Sequence, residues 1–448
     1  MLSTTLPAMM PAMENHVMRK LQLTAVCSAV LAVGFFLGIS AANAGRNEVR
    51  FGIPAEEVTA LEGVLLEDPR IISGGRAMAT LSLQRSAGEG GLRVSASGEI
   101  TVFFPEEGAF LLREFGRGTT VFTEGRLRYT DRGWTYGAVS MHIVKPATAL
   151  QQMRTDIRLN LINRFDGYPW GGLSLALLLG VRDNLDSDLT AAYRRAGLSY
   201  ILALSGMHLA IIASIIAFLL KKPLGLKAAA ITGAVIIILY CFIVGPLPSL
   251  IRSAIMYIIG VLTILGALPR KSMSVLALSF IIQIIVSPSS GTSISFMLSY
   301  LAMVGILVIT KPLASLLAGK IPNFILQPLA MSCGAFLTTA GIVSYFFGRL
   351  APAGIIAGLL IIPATTVFMI GSILWLVLDL VSLSGILSMP LSWIYSFKEG
   401  VISVTGMIPG ISQPPPLAVL IISIALSLAI IFLEHRRREL MLRLSPLP

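Results

Sequence analysis

Charged residues are scarce in this chain of 448 residues: Asp, Glu, Lys and Arg make up 13% of it, against about 25% in soluble domains. Apolar residues make up 55%, and the mean hydropathy is +0.82. They are grouped in blocks of about 17 to 25 residues, the length that a helix needs to cross a bilayer about 30 Å thick. The composition therefore excludes a purely soluble protein and predicts a polytopic α-helical membrane protein.

Residues suited to metal or covalent chemistry are also few. The cysteines lie within apolar blocks and the histidines are far apart in the sequence: Cys27, Cys241 and Cys333; His16, His142, His208 and His435. We therefore expect no disulfide framework, no metal site and no cofactor. The P-loop, nucleophile-elbow and zinc-protease motifs are absent, and residues 199–378 hold no carboxylate to orient a catalytic histidine. These absences favour transport or binding, so we expect no catalytic residues and no enzyme activity.

The net charge of +11 belongs to the apolar part of the chain. Residues 46–170 contain 15 basic and 15 acidic side chains and contribute no net charge. Much of the basic excess lies at the ends of apolar blocks: Lys221, Lys222, Lys227, Arg270, Lys271, Arg436, Arg437 and Arg438. Because cytoplasmic loops are enriched in Lys and Arg, the charge indicates membrane topology before it indicates a ligand.

Residues 1–45 form a signal peptide or a first membrane span. Arg19 and Lys20 precede an apolar run at 21–42, and Ala42-Asn43-Ala44 has the small residues of a signal-peptidase site. The apolar run is long for a signal peptide, so a retained span fits equally well. Both alternatives place the following segment outside the cytoplasm.

Residues 46–150 change to short alternating stretches with frequent turn residues. Strands are predicted at 57–66, 77–85, 91–97, 99–104, 119–129 and 136–144. Five or six short strands in about 100 residues predict a small β-barrel, of which the oligonucleotide-binding (OB) barrel is one type. Aromatic side chains accompany basic ones, including Arg126 and Arg128, as in single-strand binding proteins. The zero net charge requires that these basic residues segregate onto one face.

The remaining chain divides into interfacial helices at 151–198, a helical bundle at 199–434 and a basic cytoplasmic tail at 435–448. Membrane-length blocks lie at 199–220, 228–244, 250–268, 272–288, 293–310, 324–347, 352–378 and 415–433, with a less regular stretch at 386–408. Alternating crossings place the basic clusters on one side only if 352–378 and 386–408 both cross or both fail to cross. Pro363 in the first, and Pro390, Lys398 and Glu399 in the second, favour no crossing, with 352–378 as a re-entrant hairpin and 386–408 on the outer surface.

Two polar sites interrupt the apolar blocks. The first contains Ser205, Gly206 and His208 near the start of a predicted span, where polar groups are costly and often functional. It is equally compatible with a close helix-packing site. In the second, two prolines precede Ser249 and Arg252 at the start of the next helix, a position that favours an anion such as phosphate. The alternative is that Arg252 reaches the lipid headgroups, but the positive-inside bias favours a side chain that faces the bundle.

The order of several motifs resembles the ComEC-type competence family of membrane proteins. The matching segments are LLLGVRD at 177–183, AGL at 196–198, ALSGMH at 203–208, PSLIRSA at 248–254, FMLSYLA at 296–302 and SYFFG at 344–348, followed by Pro363. The segment EGVLLEDPR at 62–70 resembles the start of the extracytoplasmic OB domain of that family. The resemblance covers most of residues 60–430.

This resemblance implies a component of the channel that carries single-stranded DNA across the cytoplasmic (inner) membrane. The DNA path is then expected to involve Ser205, Gly206, His208, Ser249, Arg252, Arg194, Arg195, Arg126 and Arg128. The implied partners are single-stranded DNA, the lipid bilayer, a separate DNA receptor, a cytoplasmic motor or helicase and, as an open alternative, a separate nuclease. A small-solute or lipid-linked transporter, or a non-transporting scaffold, is the alternative function.

The sequence departs from the family pattern at several points. Ser293 and Gly358 stand where the family often has aspartate and asparagine, and the barrel lacks the cysteine pair of some members. Longer members continue into a metallo-β-lactamase-like domain, for which this sequence has no counterpart. We therefore expect no nuclease activity.

Overall fold

The computed structural model describes residues 49–444 except 73, 131–132, 267–271, 288–290 and 292, with the side chains of 441–444 left out. The predicted signal peptide or span at 1–45 lies outside the described residues. So do the basic residues Arg270 and Lys271 and the last residues of the predicted tail.

The N-terminal domain is a closed β-barrel. Its strands are β1 (Ala60–Leu65), β2 (Arg70–Ile71), β3 (Ala77–Ala87), β4 (Arg93–Ser95), β5 (Glu99–Phe104), β6 (Thr120–Thr130) and β7 (Gly133–Lys145). The five longer strands close in the order β1-β3-β5-β7-β6-β1, and only β5 and β7 are parallel. This five-stranded Greek-key barrel has the OB-like architecture that was one of the predicted alternatives.

Alternation of buried and exposed side chains forms the barrel core. The first seven residues of β3 alternate between buried and partly buried, so Ala77, Ala79, Leu81 and Leu83 point inward. Between β5 and β6 lies α1 (Glu106–Phe115), a helix that was not among the predicted elements of this domain. Pro105 precedes its first residue and two glutamates occupy its first turn, both favourable at a helix N-terminus.

The rest of the described chain is helical apart from one short antiparallel pairing, of Arg349–Leu350 with Ile411–Ser412. The helices are α2 (Ala149–Phe165), α3 (Gly171–Leu179), α4 (Ser187–Arg195), α5 (Ser199–Leu202), α6 (Gly206–Val244), α7 (Pro248–Ile264), α8 (Ser272–Val286), α9 (Ile294–Leu317), α10 (Asn323–Phe347), α11 (Ala353–Asp379), α12 (Gly385–Gly406) and α13 (Pro416–Leu444). Among the described residues, α6, α9, α10, α11 and α13 are long and apolar enough to cross a membrane. With the barrel, these helices confirm the predicted fold class.

The first two predicted spans form one helix of 39 residues, α6. Gly225 interrupts it with non-helical backbone angles (φ 75°, ψ 169°), next to Lys221, Lys222 and Lys227. This positive φ is suited to glycine, and the kink divides α6 into two spans. The first span also starts later than predicted, because residues 203–205 leave the helix before Gly206.

The interfacial segment that precedes α6 is part of the core. Eight of the nine residues of α3 are buried, and the ring of Trp170 packs edge-on against that of Trp375 on α11. The hydroxyl groups of Ser174 and Ser372 are 2.9 Å apart. The segment thus holds α11 in place.

The prediction of a re-entrant hairpin at 352–378 is wrong. α11 continues without reversal through Pro363, and the chain turns back only after Asp379, before α12. Prolines are tolerated inside membrane helices because neighbouring groups bind the freed carbonyls. Lys398 does not mark a polar surface either: it is buried on the same stripe of α12 as Leu391, Ile402 and Thr405. It remains a prediction that α11 and α12 either both cross the membrane or both do not.

Candidate functional site

The chain break before α6 is fixed by Ser205 and His208. Nδ1 of His208 accepts a hydrogen bond from the backbone N–H of Ser205 (3.1 Å) and lies 3.0 Å from its Oγ. An imidazole that accepts at Nδ1 carries its neutral-form proton on Nε2. His208 is fully buried, and its Nε2 makes no hydrogen bond of normal geometry, although the Ile201 carbonyl lies near the ring. One polar atom of the capping pair is therefore left without a partner.

The second predicted site lies against the first. Ser249 donates a hydrogen bond from Oγ to the Leu204 carbonyl (2.5 Å), which joins the start of α7 to the break before α6. A side chain at Gly206 would meet Ser253 Oγ at 2.8 Å and the Arg252 guanidinium at 3.0 Å. The structure therefore brings Ser205, Gly206, His208, Ser249 and Arg252 together where two helices begin, and the backbone of both contributes partial positive charge there.

Arg252 faces the bundle. It is 5% exposed, its Nε donates to Ser299 Oγ (2.8 Å), and one terminal nitrogen lies 3.3 Å from the sulfur of Met256. The guanidinium carbon lies 5.7 Å from the centre of the Tyr300 ring. Thioethers are weak acceptors, so the cation is held mainly by weak partners.

Tyr300 continues the polar network away from Arg252. Its hydroxyl donates to Oε1 of Gln283 (3.1 Å), and Nε2 of Gln283 donates to the Pro248 carbonyl (2.9 Å). Buried polar groups are normally satisfied in this way. Tyr300 and Gln283 were not predicted from the sequence as members of the site, although Tyr300 belongs to the motif FMLSYLA at 296–302.

Lys398 is the second buried cation near α6, and the sequence analysis did not identify it as a site residue. It is 1% exposed, and its Nζ lies 4.9 Å from the centre of the Phe368 ring on α11. Its Nζ has no hydrogen-bond partner, and its charge is close enough to act on the His208 imidazole. The signal available in the sequence was the spacing of 391, 398, 402 and 405, which places Lys398 on an otherwise apolar face of α12.

The site is electropositive. Among the described residues, neither Arg252 nor Lys398 forms an ion pair, and the sequence has no Asp or Glu between Asp188 and Asp379. No group of three or more His, Cys, Asp or Glu side chains that could hold a metal occurs in the part of the chain that the structure describes. Such an arrangement is suited to bind an anion.

The other predicted path residues lie elsewhere. Arg194 and Arg195 are in the last turn of α4, and both are exposed. Arg126 and Arg128 are exposed on the outer face of β6, whereas the exposed Tyr129 ring packs edge-on against the half-buried Trp134 on the opposite face. This pair lies at the end of the β6–β7 hairpin, and the opposite end of that hairpin adjoins the bundle.

Three charged side chains join the barrel to the bundle. Asp68, between β1 and β2, accepts from both terminal nitrogens of Arg154 (2.9 and 2.7 Å) and lies 3.4 Å from Nε of Arg158. The two arginines also donate to the last carbonyls of α6: Arg154 to Phe242 and Val244, and Arg158 to Ile243 and Val244. We call Asp68, Arg154, Arg158 and these carbonyls the barrel–bundle joint.

The arginines set the ionisation of Asp68. Burial alone would raise the pKa of its carboxyl group, but the hydrogen bonds from Arg154 and the charges of Arg158 and Arg154 outweigh it and hold the pKa below its ordinary value. Cations at a helix C-terminus also interact favourably with the helix dipole. The joint therefore satisfies both the carboxylate and the end of α6.

Comparison with known proteins places this site within a family. The chain is 23% identical over 273 residues to ComE operon protein 3 of Bacillus subtilis (strain 168), which covers 59% of this chain and 34% of that protein. It is 28% identical over 176 residues to an uncharacterized protein of Aquifex aeolicus (strain VF5), which covers 39% of this chain and 40% of that protein. The chain thus matches well under half of the length of either relative. Residues 177–437, which include the whole site, match the family described as Competence protein, and the chain belongs to that family.

Proposed function

We propose that this protein is a membrane channel component for the uptake of single-stranded DNA across the cytoplasmic membrane during competence. Family membership supports a role in competence, and one observation carries the channel role. Two buried cations, Arg252 and Lys398, lie near the start of α6 without a carboxylate partner. A sealed, purely structural bundle gains nothing from unpaired buried charge.

The chemistry of the site fits a phosphodiester. A guanidinium group binds phosphate oxygens with strong charge-assisted hydrogen bonds, and helix N-termini bind phosphate through their free N–H groups. Arg252 supplies the first kind of donor. The starts of α6 and α7 contribute mainly partial positive charge, because Pro248 has no N–H and the amides of His208 and Leu250 already donate to carbonyls of the same turn. The present partners of Arg252, the Ser299 hydroxyl and the Met256 thioether, can be replaced by phosphate oxygens at little cost in free energy.

The topology supports an extracytoplasmic barrel. The joint binds the barrel to the C-terminal end of α6, whereas Lys221, Lys222 and Lys227 lie at the kink in the middle of that helix. Each half of α6 is of membrane length, so the kink and the joint lie on opposite sides of the bilayer. The positive-inside bias then assigns the kink to the cytoplasm and the barrel to the outside.

The barrel would receive the strand from a separate receptor. Arg126 and Arg128 supply exposed positive charge on the outer face of β6, and the exposed Tyr129 ring supplies aromatic surface on the other face of the same hairpin. Positive charge and aromatic rings are the features by which single strands are held. The sequence has no P-loop, so a separate cytoplasmic motor or helicase would supply the energy.

Uptake of DNA in a deletion strain tests this function. We expect Arg252→Ala to lower the number of transformants about tenfold or more at an unchanged protein level, because a charged hydrogen bond to phosphate is lost. Arg252→Lys should keep part of the uptake, and removal of an exposed charge by Lys320→Ala should have no effect. Wild-type uptake by Arg252→Ala would contradict the role of this site. Wild-type uptake by the deletion strain would instead favour a small-solute transporter or a scaffold.

A further inference from the structure

Lys398 is a buried lysine whose burial has no structural explanation among the described residues. An ammonium group in a protein interior is unfavourable unless it is paired with an anion or accepted by several oxygen atoms. Here the Nζ has no hydrogen-bond partner, and the nearest favourable contact is the face of the Phe368 ring. A cation over an aromatic ring replaces only part of the lost hydration.

Two further donors near Lys398 also lack partners. Among the described residues, Oγ1 of Thr365 is buried without a hydrogen bond, and Nε2 of His208 has only the nearby Ile201 carbonyl, in poor hydrogen-bond geometry. Thr365 lies one turn before Phe368 on α11, on the face that Lys398 contacts, and His208 is within reach of the Lys398 charge. Unpaired buried polar groups are rare in native proteins. Three of them together, all able to donate, indicate that an acceptor is missing.

We propose that Lys398 is a second phosphate-binding residue of the passage, which takes a phosphodiester of the transported strand with help from His208 and Thr365. This inference rests on the proposed function. Arg252 adjoins Gly206 at the first residue of α6, and Lys398 approaches the same helix through His208. The strand therefore passes between α7 and α12 at the start of α6. In this structure the face of the Phe368 ring lies 4.9 Å from the ammonium group, on a side where a phosphate oxygen would bind.

A structural role and a phosphate-binding role for Lys398 predict opposite effects of a neutral substitution on the stability of the protein. If the contact with Phe368 stabilises the fold, replacing Lys398 by a neutral side chain lowers stability. If Lys398 awaits a phosphate, Lys398→Met removes a buried unpaired charge and keeps the volume, so the fold is equally stable or more stable while binding is lost. Stability and uptake thus change together in one case and separately in the other.

The full-length protein in nanodiscs without anionic lipid provides the first measurement. We expect a short oligo(dT) strand at low salt to raise the thermal midpoint of the wild type, and Lys398→Met to reduce the oligo(dT) affinity about tenfold. Lys398→Arg should retain binding. Lys320→Met, which removes an exposed lysine, is the matched control. Equal oligo(dT) binding by the wild type and Lys398→Met would overturn the proposal, and so would a lower midpoint for Lys398→Met without ligand.

Two further outcomes distinguish a lipid phosphate from a DNA phosphate, and a failure of this inference from a failure of the proposed function. If phosphatidylglycerol in the nanodisc raises the midpoint through Lys398 and oligo(dT) does not, the site binds a lipid headgroup and the strand proposal is wrong. If oligo(dT) binding depends on Lys398 but the deletion strain takes up DNA normally, Lys398 stands as a phosphate ligand and the import function is wrong. In a deletion strain that has lost uptake, Lys398→Met should fail to restore it at a normal protein level.

Discussion

Asp68→Asn tests whether the barrel–bundle joint holds the two parts of the protein together. The substitution keeps the size of the side chain and removes the charge that both arginines contact. A hydrogen bond to a charged group contributes about 1.5–3 kcal/mol, and breaking a buried ion pair costs about 3–5 kcal/mol. Asp68 keeps a quarter of its side-chain exposure and Arg154 retains the α6 carbonyls, so we expect the lower part of this range, about 2–3 kcal/mol.

Hydrogen–deuterium exchange of the full chain is the direct assay for this joint. A loss of 2–3 kcal/mol should speed exchange about 30- to 150-fold, since each 1.4 kcal/mol is a factor of ten. The acceleration should be confined to the loop around Asp68 and the last turn of α6, because those amides open when the joint opens. Asp156→Asn, an exposed aspartate on α2 that accepts a hydrogen bond only from Gln152, is the matched control. Unchanged exchange at α6 in Asp68→Asn would refute the argument.

Two further predictions concern pH and helix packing. Because the folded pKa of Asp68 is lowered, its stabilising contribution is present above the ordinary carboxyl pKa of about 3.9 and is lost as the pH falls through the folded pKa. The protection factors at the joint, which correct for the pH dependence of intrinsic exchange, should therefore fall below about pH 4 in the wild type and much less in Asp68→Asn. In the bundle, a methyl group at Gly305 would overlap the carbonyl of Gly334, so Gly305→Ala should separate α9 from α10 and cost about 1–3 kcal/mol. Gly260→Ala, where a methyl group meets no atom, should not lower the thermal midpoint.

The barrel was predictable from the sequence because alternation is a local signal. β5 has the predicted bounds of 99–104, and the other longer strands lie within a few residues of their predictions. The closure order was not predictable, since the sheet pairs β5 with β7 across the intervening helix. α1 was missed because Pro105 and Gly108 are typical of turns, while the burial of Ala109 and Leu112 that stabilises the helix depends on the completed barrel.

The candidate site was partly predictable, because some of its contacts are also between residues close together in the sequence. Ser205 and His208 are three residues apart, so their capping contact follows from local sequence. The hydrogen bond from Arg252 to Ser299 is not local, because Ser299 lies 47 residues further along the chain. Lys398 was misinterpreted as a surface residue because lysine is almost never fully buried without a partner. Because such burial is rare, the buried position of Lys398 is informative.

The two ends of α6 lie close together, which decides, under the proposed function, where a strand would meet the site. α3 ends next to both of them: the Tyr240 hydroxyl donates to the Leu178 carbonyl, and Gly180 lies against Leu204 and Leu247. The kink at Gly225 turns the chain back between these ends. The cations near Gly206 therefore lie at the level of the barrel–bundle joint, on the barrel side. A strand released by the barrel would contact Arg252 and Lys398 at the entrance of the bundle, where binding energy can offset the loss of hydration before the apolar part of the passage begins.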